Sequence, residues 1–133
     1  MTHPRRLAPA ALLAVLAVAC TGDDPDAAVD VTAACDRLET LASAILESSD
    51  ATTTAQFVAG VSEPLDAFVA AAGSSGDDKL AELAEIYSRE FATWSTSSGI
   101  DAREARGNAD VALDRAGARC LELGATNDFP QQP

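Results

Sequence analysis

This chain of 133 residues has a single histidine and is poor in basic charge. Nine lysines and arginines face 21 aspartates and glutamates, for a formal net charge of −12 at pH 7. Phosphates need a basic face to neutralise them, so nucleic acid is excluded as a partner, and so is electrostatic docking onto anionic lipid. The one histidine, His3, lies at the very start of the chain. Beyond it no Ser-His-Asp or Cys-His machinery can be assembled, and no histidine-bound zinc or di-iron centre of the helical-bundle type. A phosphate-binding loop is missing too, because Gly73-Ser74-Ser75-Gly76 runs into Asp77 and Asp78 rather than into Lys-Ser or Lys-Thr. The longest apolar stretch, Leu7 to Ala19, falls short of the ~20 residues that span a bilayer as a helix. No cofactor and no metal are expected.

What is present is alanine, 29 residues of it, which favours helix but builds a thin core. From Val31 onward the apolar residues recur at three and four, the helical period. Ala34, Leu38, Leu41, Ala42 and Ile45 form a first stripe, capped by Asp30 or Thr32 and left through Ser48-Ser49-Asp50. A second begins at Thr53, with Gln56 at capping-box spacing, and carries Phe57, Val61, Leu65, Phe68, Val69 and Ala72. Pro64 lacks an N–H and clashes with the carbonyl of Gly60, so the sequence predicts a kink or a break there. After the Gly73–Gly76 linker, Leu80, Leu83, Ala84, Tyr87, Phe91 and Trp94 mark a third helix to about Ser97. Asp101 with Glu104 can cap a fourth, whose inner face is Ala105, Ala109, Ala112, Leu113, Ala116, Cys120 and Leu123, with Gly124 as its stop. The expected fold is all-α, a small up-and-down bundle of about four helices.

Residues Met1 to Cys20 have the parts of an export signal: basic Arg5 and Arg6, an apolar stretch, and small residues before a cysteine. Leu16-Ala17-Val18-Ala19-Cys20 resembles the lipobox of bacterial lipoproteins, with Ala17 where leucine is commoner. The resemblance implies a signal peptide over residues 1–19, a Cys20 acylated with palmitate-type chains, and a protein held on the outer face of the cell membrane by lipid. Each buried acyl CH₂ contributes about 0.8 kcal/mol, so two or more chains hold firmly. An ordinary secretory signal cut after Ala17-Val18-Ala19 is the competing reading. Cysteine parity separates the two, because three cysteines in an exported protein leave one exposed thiol unless Cys20 is lipidated. The composition, rich in alanine and poor in lysine, is similar to that of short lipoproteins of actinomycete-type bacteria.

The expected organisation is therefore a signal peptide over 1–19, an acidic flexible tether over 20–30, a helical domain over 31–124 and a disordered tail over 125–133. Asp23, Asp24 and Asp26 in the tether lack the pattern of a calcium loop and read as a solvated spacer. Cys35 near the start of the first helix and Cys120 near the end of the last fall at the same pole of an up-down-up-down bundle, so a disulfide is geometrically available. A redox-active pair would need CxxC-like spacing, which is absent.

Glu82, Glu85, Arg89 and Glu90 share a helix, with Glu85 and Arg89 at ion-pair spacing, but such clusters are ordinarily solvated surface. Asp101, Arg103, Glu104 and Arg106 read the same way. Tyr87, Phe91 and Trp94 fall within two turns at core spacing, and at one end of a bundle they can also line a pocket for an apolar or cationic ligand. The resulting expectation is a lipid-anchored, non-catalytic envelope interaction module with a contact surface around Trp94. The alternative is a small-ligand-binding lipoprotein with a pocket between helices. The first predicts an exposed apolar patch and no cavity, the second an interior or end pocket.

Overall fold

A computed structural model of the chain describes residues 25–125, with side chains from residue 30 onward. Four helices follow one another: α1 over Pro25–Glu47, α2 over Thr54–Ser74, α3 over Asp78–Thr96 and α4 over Gly99–Glu122. There is no strand among the described residues. Short connections make consecutive helices antiparallel, which is the up-and-down bundle that the apolar periodicity predicts. The predicted stripes form the core, where Leu38, Leu41, Val61, Phe68 and Leu80 are essentially inaccessible to solvent. From α4 come mostly alanines, Ala105, Ala109, Ala112 and Ala116, all buried. Small side chains let α4 lie close against α3, the most extensive pairing in the bundle, whereas α1 and α4 touch least among the packed pairs.

That weak seam is closed covalently. Cys35 and Cys120 form a disulfide with a Cα–Cα distance of 5.8 Å, both residues wholly buried. On the same pole Asp77 opens α3 by accepting the Leu80 N–H at 2.8 Å, and its carboxylate also takes Arg119 Nη2 of α4 at 2.6 Å. Arg119 reaches Glu122 at 3.0 Å as well. The guanidinium of Arg119 holds the Asp77 carboxyl below its ordinary value, against an opposing push from burial.

Local signals explain most of the helix ends. Thr53 accepts the Gln56 N–H at 3.2 Å, while Gln56 Oε1 reaches back to the Thr52 N–H at 3.1 Å, one residue before the usual capping-box donor. Gly124, at φ +90°, takes the left-handed conformation that ends α4. Four expectations need correction. First, α1 begins at Pro25, so residues 25–30 of the expected tether are helix and neither Asp30 nor Thr32 is the cap; proline suits a first helical position because its missing N–H would be unsatisfied there anyway. Second, α2 runs on through Ser74 and takes in half of the expected Gly73–Gly76 linker. Third, α4 starts at Gly99 behind Ser98, leaving Asp101 inside the first turn, where its charge suits the helix dipole without capping. Fourth, Pro64 does not break α2. Proline inside a helix costs about 3 kcal/mol, and burial of Val61, Leu65 and Phe68 on both sides of it offsets that cost. Gly60, whose carbonyl would have met the Pro64 N–H, lies against Ser48, and a Cβ there would collide with Ser48 Oγ. The signal peptide, Cys20 and all of the tail except Ala125 lie outside the described residues; Ala125 donates its N–H to the Cys120 carbonyl at 2.9 Å.

Two predictions follow from the linked pole. The disulfide closes a sequence separation of 85 residues, which restricts the unfolded chain by about 4.5 kcal/mol. Replacing Cys35 and Cys120 with serine should leave the low-temperature helix content intact and lower the thermal midpoint by on the order of 20 °C; a shift of only a few degrees by circular dichroism would contradict the role given to the bridge. Asp77→Ala should cost about 1–2 kcal/mol at neutral pH through the lost cap alone. Because the folded carboxyl titrates below its unfolded value, its contribution is complete above about pH 4 and is lost as pH falls through the depressed pKa. The gap in thermal midpoint between the natural chain and Asp77→Ala should therefore close on acidification.

Candidate functional site

At the pole opposite the disulfide the helices leave a cavity of about 510 Å³. Its wall is aromatic for a reason already visible in α3: Tyr87, Phe91 and Trp94 are spaced by four and three, so they stand on one face. Phe57, in the first turn of α2, meets them from across the bundle. Its ring lies 5.5 Å from that of Trp94, edge to face, and 6.3 Å from that of Phe91. Phe91 in turn lies 6.0 Å from Tyr87 and 5.6 Å from Trp94. These are the separations at which aromatic pairs attract beyond simple area burial. Four of the six aromatic residues of the chain thus gather around one space.

The space exists because of what stands opposite. Ala109 of α4 lines the cavity, and it sits at the end of the α1–α4 seam that the disulfide does not reach. Alanine there supplies only a methyl group towards the gap. Ile45 and Leu46 of α1 add an apolar wall, while Ser49, Thr52 and Thr53, all exposed, ring the mouth.

Three ionisable residues line this cavity, Tyr87, Arg106 and Asp110. Tyr87 is only 4% exposed, yet its hydroxyl has no hydrogen-bond partner among the described residues, and neither has the half-buried carboxylate of Asp110. No fully enclosed side-chain oxygen or nitrogen in that part of the chain is left unsatisfied, so both groups open onto the cavity. Burial, and then the nearby charge of Asp110, push the Tyr87 hydroxyl well above its ordinary pKa, which keeps it protonated as a donor. Desolvation likewise raises the Asp110 carboxyl, opposed by Arg106 and reinforced by Asp114. The arrangement offers a half-open volume with an aromatic wall, one hydroxyl donor and one carboxylate, which together suit binding.

The sequence-derived candidates divide clearly. Tyr87, Phe91 and Trp94 are brought together on the cavity wall, and Cys35 and Cys120 are joined at the far pole. Glu82 and Glu85 are exposed, and Arg89 pairs with Glu90 at 3.3 Å instead of with Glu85. Of the charged group at the start of α4, Arg106 reaches the cavity. No three His, Cys, Asp or Glu side chains among the described residues are gathered as a metal site. Among the cavity residues that the sequence did not flag as functional are Phe57, Ala109 and Asp110; Phe57 and Ala109 read there as core. Asp110 directly follows the inward-facing Ala109, but Glu104 and Asp114 adjoin the same stripe, so sequence position alone does not single it out. The exposed large apolar residues of α4, Ile100, Val111 and Leu121, stand roughly three turns apart and do not gather around Trp94. Comparison of the chain with protein-family models, with curated proteins and with solved structures gives no match.

An ionised Asp110 with a raised pKa opposes folding at neutral pH, because the folded state holds the proton more tightly than the unfolded one; that opposition fades as pH falls through the raised pKa. Asp110→Asn should therefore leave the thermal midpoint at pH 7 unchanged or raise it. A loss of several degrees would mean that this carboxylate holds the fold together.

Proposed function

We propose that this protein is an exported, lipid-anchored, non-catalytic helical bundle that holds a small molecule in its aromatic end cavity. The observation that carries the reading is the cavity itself, about 510 Å³ and bordered by two polar groups with no protein partner. Sites for small organic ligands have this size and combine apolar walls with placed polar groups, as the aromatic wall and the Tyr87 and Asp110 groups do here. The contact-module reading called for an apolar patch at Trp94 and no cavity, and so ranks second. Anchoring rests on the sequence: the lipobox-like residues before Cys20 supply the address, and among the described residues no helix is long and apolar enough to cross a membrane. In this reading the lipid holds the bundle at the outer face of the membrane, with an envelope protein as a further partner if the ligand is handed on.

Native mass spectrometry of the protein gently extracted from its own membrane tests both parts at once. The expected spectrum has an acylated mass starting at Cys20 and a small-molecule adduct that disappears in Trp94→Ala. An acylated mass carrying only a second protein would favour the contact module. Cys20→Ala should release the protein into the soluble fraction or block its processing, and unchanged membrane retention with normal maturation would remove the lipid anchor.

A further inference from the structure

We infer that the end cavity selects organic cations, taking an ammonium head between the half-buried ring of Trp94 and the carboxylate of Asp110. This rests on the ligand-binding reading above and goes on to name the chemistry of the ligand. The first ground is the wall. Aromatic faces carry negative quadrupole potential and attract a desolvated ammonium, most strongly at tryptophan and next at tyrosine. Tyr87 and Phe91 are buried and stack on one another, so they back the wall, and the half-buried Trp94 is the ring with surface left for a guest.

The second ground is charge. Asp110 opens onto the same space with neither a hydrogen bond nor an ion pair, although Arg106 stands one helical turn away and also lines the cavity. A carboxylate left unpaired beside a guanidinium, within an apolar pocket, is a binding partner for a guest. The ionisable surroundings of Asp110 can be stated in full for the cavity: Arg106 and Asp114 on its own helix and Tyr87 from α3, with only serine, threonine, alanine, isoleucine, leucine and phenylalanine from α1, α2 and their connection. Arg106 is exposed at the mouth and weakens the preference without reversing it. The third ground is the chain as a whole, whose net charge of −12 draws cations towards the mouth and turns away anions.

The proposal predicts opposite signs at neighbouring positions. Removing Arg106 should strengthen binding of a cation, and removing the Asp110 charge should weaken it. It also predicts that affinity falls as pH drops through the Asp110 pKa, since a bound ammonium favours the ionised carboxylate.

Trp94 is the only tryptophan in the chain, so its fluorescence reports on the site directly. The experiment titrates the full chain with three probes of the same shape: choline, its uncharged isostere dimethylbutanol and the anionic dimethylbutyrate. Choline is expected to bind saturably and at least about tenfold more tightly than dimethylbutanol, with dimethylbutyrate weakest. Asp110→Asn should reduce choline affinity about tenfold and leave dimethylbutanol unaffected, while Arg106→Gln should raise choline affinity. Tyr87→Phe, which keeps the ring and removes the hydroxyl, serves as a second variant and should retain the preference for choline over dimethylbutanol. Equal binding of choline and dimethylbutanol, or an Asp110→Asn variant of natural helix content whose choline affinity is unchanged, would overturn the assignment of charge. Preferential binding of dimethylbutanol or dimethylbutyrate would do so too, while leaving the ligand-binding reading in place. If none of the three probes binds and the native spectrum carries no adduct, both readings fall.

Discussion

The Cys35–Cys120 disulfide joins α1 to α4 along the one seam of the bundle where side-chain packing contributes least. An alanine-rich helix offers little apolar area per turn, and α4 spends most of that area on α3. Without the bridge the first and last helices would be held chiefly through their neighbours. With it the bundle is closed at one pole, and Asp77, Arg119 and the buried Ser75 add polar links around the same end. Ser75 donates to the Ala72 carbonyl at 2.6 Å and accepts the Asp77 N–H at 3.2 Å, so the α2–α3 turn leaves no buried polar atom of its own unpaired.

The opposite pole has no such fastening, and the cavity is found there. Alanine on α4 acts in two ways: it lets α3 and α4 approach closely, and at Ala109 it leaves room that a larger residue would occupy. The aromatic residues of α3 and α2 then serve both as the end of the core and as a wall. Asp110, desolvated and unpaired, works against stability at neutral pH. A bundle fixed at one end can carry that burden at the other.

Much of the fold was legible along the chain. The stripes in α1, α2 and α3 and the alanine face of α4 all follow from the helical period, as do the Thr53 cap and the Gly124 stop from local chemistry. Even the disulfide was readable, because an up-and-down topology puts the two cysteines at one pole. Of the kink or break that local sterics predict at Pro64, the break does not occur, because burial on both sides of it is a tertiary effect. The start of α4 was misread because Asp101 and Glu104 have capping chemistry, yet the chain enters the helix earlier, at the turn through Ser98 and Gly99. Of the site, Tyr87, Phe91 and Trp94 were visible as a group, and their partners Phe57, Ala109 and Asp110 were not.

The sequence by itself determined the all-α class, the helix faces and the pairing of Cys35 with Cys120, because helical period, caps and cysteine position act within a few turns or follow from topology alone. Whether three aromatic residues at core spacing close the core or wall a cavity was decided only by tertiary structure. That outcome depends on the size of the side chains that the packed helices bring against them, and Ala109 of α4 contributes only a methyl group.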